Sequence, residues 1–219
     1  LLVMTSANRA GEPIAYRDED ALERLRGLAD GFLVGDRPIA RRVDDSVATV
    51  LSGRPVLFRR ARGYAPAPVA RHPLFQRPIL ALGAGLKNAI VLSTGGYAFI
   101  SQHLGDLDDL DVLMAFRETI DDLTAMYDVD PAGAVIAHDL HPDYPSTRHA
   151  EALAGTPFGV QHHEAHVASV LAERGAWETP VLGVSFDGAG LGRDRTVWGG
   201  ELFHGSLLGG FERVGHLRP

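Results

Sequence analysis

The strongest constraint on the fold is an alternation of strand-type and helix-type segments after residue 78. Short apolar runs predict strands at residues 79–82, 89–93, 97–101, 134–137, 158–160, 181–186 and 197–203. Apolar residues recur at helical spacing at residues 108–127, and further helices are predicted at residues 146–154 and 162–174. Mixed strands and helices in one stretch of chain predict an α/β fold for this half.

The first half contains shorter elements and ends in a proline-rich segment. We predict a strand at residues 1–5, a helix at 18–28, a strand at 31–34 and a hairpin formed by 47–51 and 55–59. Residues 65–78 are rich in proline and lack an apolar period, so a domain boundary is expected there. The predicted division is a first domain at residues 1–68, a linker at 69–78 and a second domain at 79–219. Because residue 1 is not Met and both ends resemble strands in progress, we expect an internal segment of a longer polypeptide.

Composition excludes several classes of protein. The chain has no cysteine, which excludes a disulfide scaffold, a thiolate zinc site and a cysteine nucleophile within it. A net charge of −7 argues against a broad surface for nucleic acid or anionic lipid. No apolar run reaches the roughly 20 residues that a bilayer span requires. We therefore expect a cytoplasmic protein with no nucleic-acid partner and no membrane partner.

Two glycine-containing strings resemble each other. LGAGLK at residues 82–87 and DGAGLG at residues 187–192 each follow an apolar strand and precede another predicted strand. A glycine turn of this kind lets backbone N–H groups approach a phosphate, which makes Gly188 and Gly190 candidate nucleotide-binding residues and Lys87 a candidate charge partner. The alternative is a plain glycine turn. A dinucleotide fingerprint is excluded, because the spacing is not GxGxxG and no helix follows.

Three histidines at the start of a predicted helix form the sharpest local pattern. His162 and His166 are four residues apart, so their imidazoles share one helix face and are spaced to bind one transition metal. His163 points roughly 100° away from that face. The pattern is not HExxH, because Val167 stands where the second histidine would be. Asp187, at the end of the next apolar strand, is a candidate third ligand.

Two further groups have competing interpretations. HDLHPDYPST at residues 138–147 follows a predicted buried strand and opens a helix. Its polar residues either line a ligand crevice or cap the helix through Asp143 or Ser146. Arginines at residues 41–42 and 59–62 are either solvated charge or a site for phosphate or carboxylate.

Several strings resemble a known pair of domains in a known order. TSANRAGEP at residues 5–13 resembles the TSANxSGEP signature of YrdC-like domains, with Ala10 in place of the usual Ser, and DDSV at 44–47 and RRARGYAP at 59–66 resemble its later motifs. The second half resembles the actin-like, Kae-type domain at residues 83–88, 101–107, 138–144, 161–166 and 187–190. A YrdC-like domain followed by a Kae-type domain is similar to the HypF family of carbamoyltransferases, which act in [NiFe]-hydrogenase maturation.

The resemblance implies a specific chemistry. The YrdC-like domain would activate carbamate from carbamoyl phosphate with ATP, giving carbamoyl adenylate, and the Kae-type domain, with nucleotide and a metal (zinc or iron), would pass the carbamoyl group to the C-terminal cysteine of HypE. In the first domain Ser6 and Asn8 are expected to contact phosphate or carbamate from a polar turn, with Arg62 as a weaker candidate. The nucleophilic thiol would belong to HypE, so the lack of cysteine here is no objection.

Departures from the family leave rival hypotheses open. The family's acylphosphatase-like domain, its zinc fingers and parts of both recognised domains are missing from this sequence, so we expect the chain alone to be inactive. The rivals are an O-carbamoyltransferase for a small-molecule hydroxyl, threonylcarbamoyl transfer to tRNA, and a non-catalytic nucleotide-binding scaffold. The order of the two domains and the net charge argue against the first two, and His162, His166 and Asp187 argue against the third.

Overall fold

The N-terminal part is built around one short helix and one hairpin. The computed structural model describes residues 2–217. Helix α1 spans Asp18–Arg24, and strands β1 (Val47–Leu51) and β2 (Arg54–Arg59) pair in antiparallel fashion. Ser52 and Gly53 both have positive φ, the backbone that a two-residue hairpin turn needs. The predicted hairpin is confirmed.

Two strands predicted in this part are not formed. Residues 2–5 and 31–34 have no strand, residue 1 lies outside the described part, and α1 ends four residues before the predicted position 28. The side chains of Leu2, Val3 and Met4 are 87–97% exposed. A strand is stabilised by a neighbouring strand. Within residues 2–217 neither segment finds one, so apolar character alone does not produce a strand here.

A six-stranded mixed sheet forms the centre of the second part. Its strand order is β3-β6-β5-β4-β7-β8. The strands are β3 (Pro68–Arg71), β4 (Ile79–Ala81), β5 (Val91–Thr94), β6 (Tyr97–Ile100), β7 (Val135–Asp139) and β8 (Thr156–Val160). Strands β4, β7 and β8 run parallel, and the other neighbouring pairs are antiparallel. Because β7 and β8 are parallel, their carboxyl ends meet at one edge of the sheet.

Strand β3 lies in the proline-rich segment, where the sequence predicts no strand. It pairs with β6 at the edge of the six-stranded sheet. Pro68 is its first residue, a position where proline is tolerated although it has no N–H to donate to the neighbouring strand. Sequence periodicity did not indicate this strand because edge pairing depends on β6, about thirty residues further along the chain. The exact domain boundary stays a prediction.

The first two α-helices of the second part pack on this sheet and enclose its core. Helix α2 spans Leu110–Met126, α3 spans Pro145–Ala152, and α4 spans His162–Glu173. Apolar residues of the strands and of α2 are buried together, with Leu80, Leu82, Ile90, Leu92, Phe116, Ile120 and Leu123 at most 3% exposed. The apolar period predicted for α2 is the stripe that faces this core. No helix within residues 2–217 is long and apolar enough to cross a membrane.

A separate three-stranded antiparallel sheet follows α4. It has the order β11-β10-β9, with β9 at Val181–Leu191, β10 at Val197–Ser206 and β11 at Gly210–His216. Helix α4 packs on β9, where Gly183 leaves room for the side chain of Val167. The strand region expected near the end of the chain is β11.

Strand β9 also corrects the prediction of a glycine turn after residue 186. Residues 187–191 continue the strand, since Gly190 pairs with Trp198 and Leu191 with Val197. The turn comes later, where the N–H of Gly192 donates to the carbonyl of Thr196. The register is irregular between Trp198 and Gly200. By contrast, Gly83 has a φ of +68° in a segment outside any strand, so the two similar strings adopt different structures.

Candidate metal and nucleotide sites

Helix α4 and strand β9 bring together the three predicted metal ligands. His162 and His166 lie on one face at the start of α4, with ring centroids 4.9 Å apart. Oδ2 of Asp187 lies 2.9 Å from Nε2 of His162 and 3.6 Å from Nε2 of His166. One ligand atom from each of the three residues lies within 4.8 Å of the others. Two imidazole nitrogens and one carboxylate oxygen are a donor set suited to a divalent transition metal.

The carboxylate of Asp187 provides the test of fit for a metal. Its Oδ2 is buried and faces the Nε2 atoms of His162 and His166, so its partner is either a protonated imidazole or a cation held between them. Its Oδ1 accepts a hydrogen bond from the N–H of Gly188 at 2.7 Å, which holds the carboxylate in place. A buried oxygen of this kind is costly unless it has a partner. The residues present therefore fit a bound cation.

Asp139, at the carboxyl end of β7, orients the first histidine. Its Oδ2 lies 2.7 Å from Nδ1 of His162, and its Oδ1 accepts a hydrogen bond from the N–H of His141. Asp139 is almost fully buried. This contact, with further help from Asp187 and despite burial, raises the pKa of His162. With Nδ1 donating to Asp139, Nε2 is left free toward Asp187 and His166, an arrangement common around metal-bound histidines.

Sequence reasoning did not assign this role to Asp139. The sequence of residues 138–147 is compatible with either a ligand crevice or a helix cap. The cap interpretation is wrong for α3, since its N-cap residue is Tyr144, with no side-chain capping bond, and Ser146 donates instead to the carbonyl of Ala84. The sequence feature that could have indicated this role of Asp139 is its position at the end of a predicted buried strand.

His163 lies outside the ligand group, as its helical position predicts. Its side chain is fully buried, and its ring lies 6.2 Å from that of Trp198. Burial, with the neighbouring His162, lowers the pKa of His163. An added Cβ at Gly190 would lie 2.6 Å from the His163 ring, so glycine is needed there for helix packing.

Gly188 and Lys87, both predicted to contact phosphate, lie at two different sites. Gly188 has open space where a Cβ would be, so its backbone is accessible beside Asp187. Lys87 has a positive φ of 49°, and its N–H donates to Asp106. Its side chain lines a cavity shared with the N-terminal part, in the company of Asn8. The structure thus groups Lys87 with the predicted first-domain residues.

This cavity has a volume of about 800 Å³ and is formed by both parts of the chain. Arg42 and Arg59 contribute positive charge, and Asp44 pairs with Arg59 at 3.0 Å. Asn8 donates through its amide to the carbonyls of Arg9 and Glu12, while its Oδ1 is buried with no partner among residues 2–217.

Ser6 and Arg62 do not line the cavity in the described structure. Ser6 is exposed, and Arg62 lies 3.7 Å from Asp45 with a largely exposed side chain. Of the residues predicted to bind nucleotide in the first domain, the structure therefore brings only Asn8 to this cavity.

Comparison with known proteins accounts for nearly all of the chain. The Sua5–YciO–YrdC family model, described as telomere recombination, matches residues 1–61. The HypF Kae1-like domain matches residues 75–173, and the second subdomain of the carbamoyltransferase Kae1-like domain matches residues 183–219. The carbamoyltransferase HypF of Synechocystis sp. is 46% identical over 218 residues, covering 100% of this chain. The chain belongs to the HypF family.

Further relatives agree with this assignment. HypF2 of Cupriavidus necator is 46% identical over 229 residues. A crystal structure of full-length HypF in the phosphate- and nucleotide-bound form superposes with a TM-score of 0.87 at 42% identity, over 98% of this chain. The predicted α/β fold with YrdC-like and Kae-type domains is confirmed. This chain spans 28% of the Synechocystis protein, 27% of HypF2 and 28% of that crystallised chain.

Proposed function

We propose that this chain provides part of a HypF carbamoyltransferase, with one nucleotide-activating site and one metal-containing transfer site. In the proposed reaction water hydrolyses carbamoyl phosphate to phosphate and carbamate. A carbamate oxygen attacks the α-phosphorus of ATP and displaces pyrophosphate, giving carbamoyl adenylate. The C-terminal thiolate of HypE then attacks the carbonyl carbon and AMP leaves. A cytoplasmic location belongs to the same proposal.

The observation that carries the proposal is the cluster of His162, His166 and Asp187 in a chain of the HypF family. The two histidines and the carboxylate would hold the metal, zinc or iron, which when bound polarises carbonyl or phosphate oxygens. Asp139 keeps the proton of His162 on Nδ1, so that the other nitrogen stays available as a ligand. Gly188 offers an accessible backbone beside this site for a nucleotide phosphate.

The interdomain cavity supports the activation step. Lys87 and Arg42 place positive charge on its wall, Arg59 is partly neutralised by Asp44, and Glu12 and Asp106 add negative charge. Positive charge favours the phosphates of ATP and of carbamoyl phosphate. Asn8 contributes an amide to the same wall, a group that can accept a hydrogen bond from the NH₂ group of carbamate. The wall thus combines cationic groups, carboxylates and an amide.

The proposal is tested in a HypF polypeptide that contains this chain. We expect Asp187→Asn to lose most of the bound metal and to reduce carbamoyl transfer to HypE at least about tenfold, because the amide is a poor metal ligand. Metal content and transfer are measured on the same preparation. The control is Glu151→Gln, since Glu151 is exposed on α3 and lies outside the ligand group. Equal metal content and equal transfer in wild type and Asp187→Asn would contradict the proposal.

A further inference from the structure

Gln161 is a fully buried polar residue immediately before the first metal-ligand candidate. It is the N-cap of α4, and its Oε1 accepts a hydrogen bond from the N–H of Glu164 at 2.9 Å. Capping alone does not require glutamine, because shorter Ser, Asp or Asn side chains are the usual N-caps. The extra length of the glutamine side chain therefore needs an explanation other than capping.

The amide nitrogen of Gln161 reaches the opposite element. Its Nε2 donates to the carbonyl of Leu191 at 3.3 Å and lies 3.1 Å from Nδ1 of His163. Leu191 is the last residue of β9, four residues after Asp187. One side chain thus connects the start of the helix that carries both imidazoles to the strand that carries the carboxylate.

Apart from the proposed ligands and an ion pair of Glu164 with Arg193 just beyond β9, the other contacts between α4 and β9 are packing contacts. Gly183 and Gly190 allow close approach, because an added Cβ would clash with Val167 and with His163, respectively. Such packing sets the distance between the two elements. A hydrogen bond adds an angular preference, so the Gln161–Leu191 bond contributes to the axial position of α4 at the end that carries the ligands.

We propose that Gln161 is a positioning residue for the metal site, holding His162 and His166 in register with Asp187. The inference rests on the proposed metal site, which requires ligand atoms from α4 and β9 to stay within a few ångströms of one another. Loss of the bridge leaves all three ligands in the chain but shifts their mutual geometry. Misplacement of ligands by outer contacts typically lowers metal affinity about 10- to 100-fold.

The experiment measures Co²⁺ affinity and the visible absorption of bound Co²⁺ in a HypF polypeptide containing this chain. Gln161→Ser keeps a good N-cap but is too short to reach Leu191. We expect its Co²⁺ dissociation constant to rise about 10- to 100-fold, with an altered absorption spectrum. Gln161→Glu keeps the length and the capping oxygen but loses the donor, and we expect the same direction of change.

A matched control separates positioning from simple stability. Asp109→Ala removes the N-cap of α2, whose side chain accepts from the N–H groups of Asp111 and Val112, away from the ligands. We expect it to lower the melting temperature while leaving Co²⁺ affinity and spectrum unchanged. If either folded Gln161 variant binds Co²⁺ with wild-type affinity and spectrum, the positioning role is wrong.

Failure of the metal site itself has a different outcome. If the wild type does not bind Co²⁺, or if Asp187→Asn binds it equally well, the proposed metal site is refuted. Wild-type binding that Asp187→Asn abolishes and Gln161→Ser leaves unchanged refutes only the role of Gln161.

Discussion

Gly188 and Gly190 are only two residues apart, yet a side chain added at one position would have different neighbours from a side chain added at the other. A Cβ at Gly188 would meet nothing within 4 Å, whereas one at Gly190 would lie 2.6 Å from the ring of His163. The first glycine is free to serve a ligand, and the second is needed for packing of α4 on β9. Substitutions at the two positions therefore test different properties.

We expect Gly188→Ala to leave the free energy of unfolding within about 0.5 kcal/mol of wild type but to weaken adenylate binding, because the new methyl group blocks approach to the backbone. We expect Gly190→Ala to cost about 1–3 kcal/mol of stability, with or without nucleotide, through overpacking against His163. Denaturant unfolding and nucleotide titration measure both effects. Unchanged adenylate binding by Gly188→Ala would remove the phosphate role from this residue.

At the scale of elements, β10 and β11 are joined by a buried ion pair that sequence reasoning did not indicate. Glu201 is 2% exposed, accepts a hydrogen bond from the N–H of Gly199 and pairs with Nε of Arg213. The guanidinium of Arg213 also lies 4.0 Å from the centre of the Trp198 ring. Burial alone would raise the pKa of Glu201, but Arg213 and the Gly199 N–H lower it on balance.

We expect Glu201→Gln to lower the free energy of unfolding by about 1.5–3 kcal/mol near neutral pH, because a charged hydrogen bond is lost. A carboxyl with a lowered folded pKa stabilises the protein above its unfolded pKa, and this stabilisation is lost as pH falls through the folded pKa. Wild type should therefore lose stability on the acid side more steeply than Glu201→Gln. Unfolding between about pH 3 and pH 7 measures this difference, and equal slopes would contradict it.

At the scale of the whole molecule, the N-terminal part is attached to α2 by several ion pairs. Arg17 and Arg42 lie 3.2 Å and 3.7 Å from Glu118, and Arg41 lies 3.4 Å from Asp122. The two acidic residues are four apart and share one face of α2. Single exposed ion pairs contribute about 0–1 kcal/mol, so the attachment depends on the group and weakens with salt.

We expect Glu118→Lys to loosen the N-terminal part, because it replaces two attractions with repulsion. Limited proteolysis should cut residues 2–14 faster in this variant, and salt should speed the cutting of wild type more than that of the variant. Glu151→Lys, a charge reversal at an exposed site on α3, serves as the control. Identical cutting of Glu118→Lys and wild type at low salt would show that these ion pairs do not hold the interface.

The sequence alone determined those features whose cause is local. Spacing of four residues placed His162 and His166 on one helix face, and the apolar period of α2 predicted the stripe that became core. The structure also brings Asp187, predicted as their partner, to the same point, although its role as a ligand stays a prediction. Helical periodicity and turn chemistry are encoded within a few residues, so they are visible without the fold.

Only the tertiary structure decided the features that depend on distant segments. Asp139 reaches His162 because β7 and β8 run parallel and α4 begins directly after β8. Residues 187–191 form a strand rather than a turn because β10 supplies pairing partners. Lys87 lies in the same cavity as Asn8 because the N-terminal part packs against the second part of the chain. A strand's partner and a buried side chain's neighbours are set by long-range packing, which local patterns do not specify.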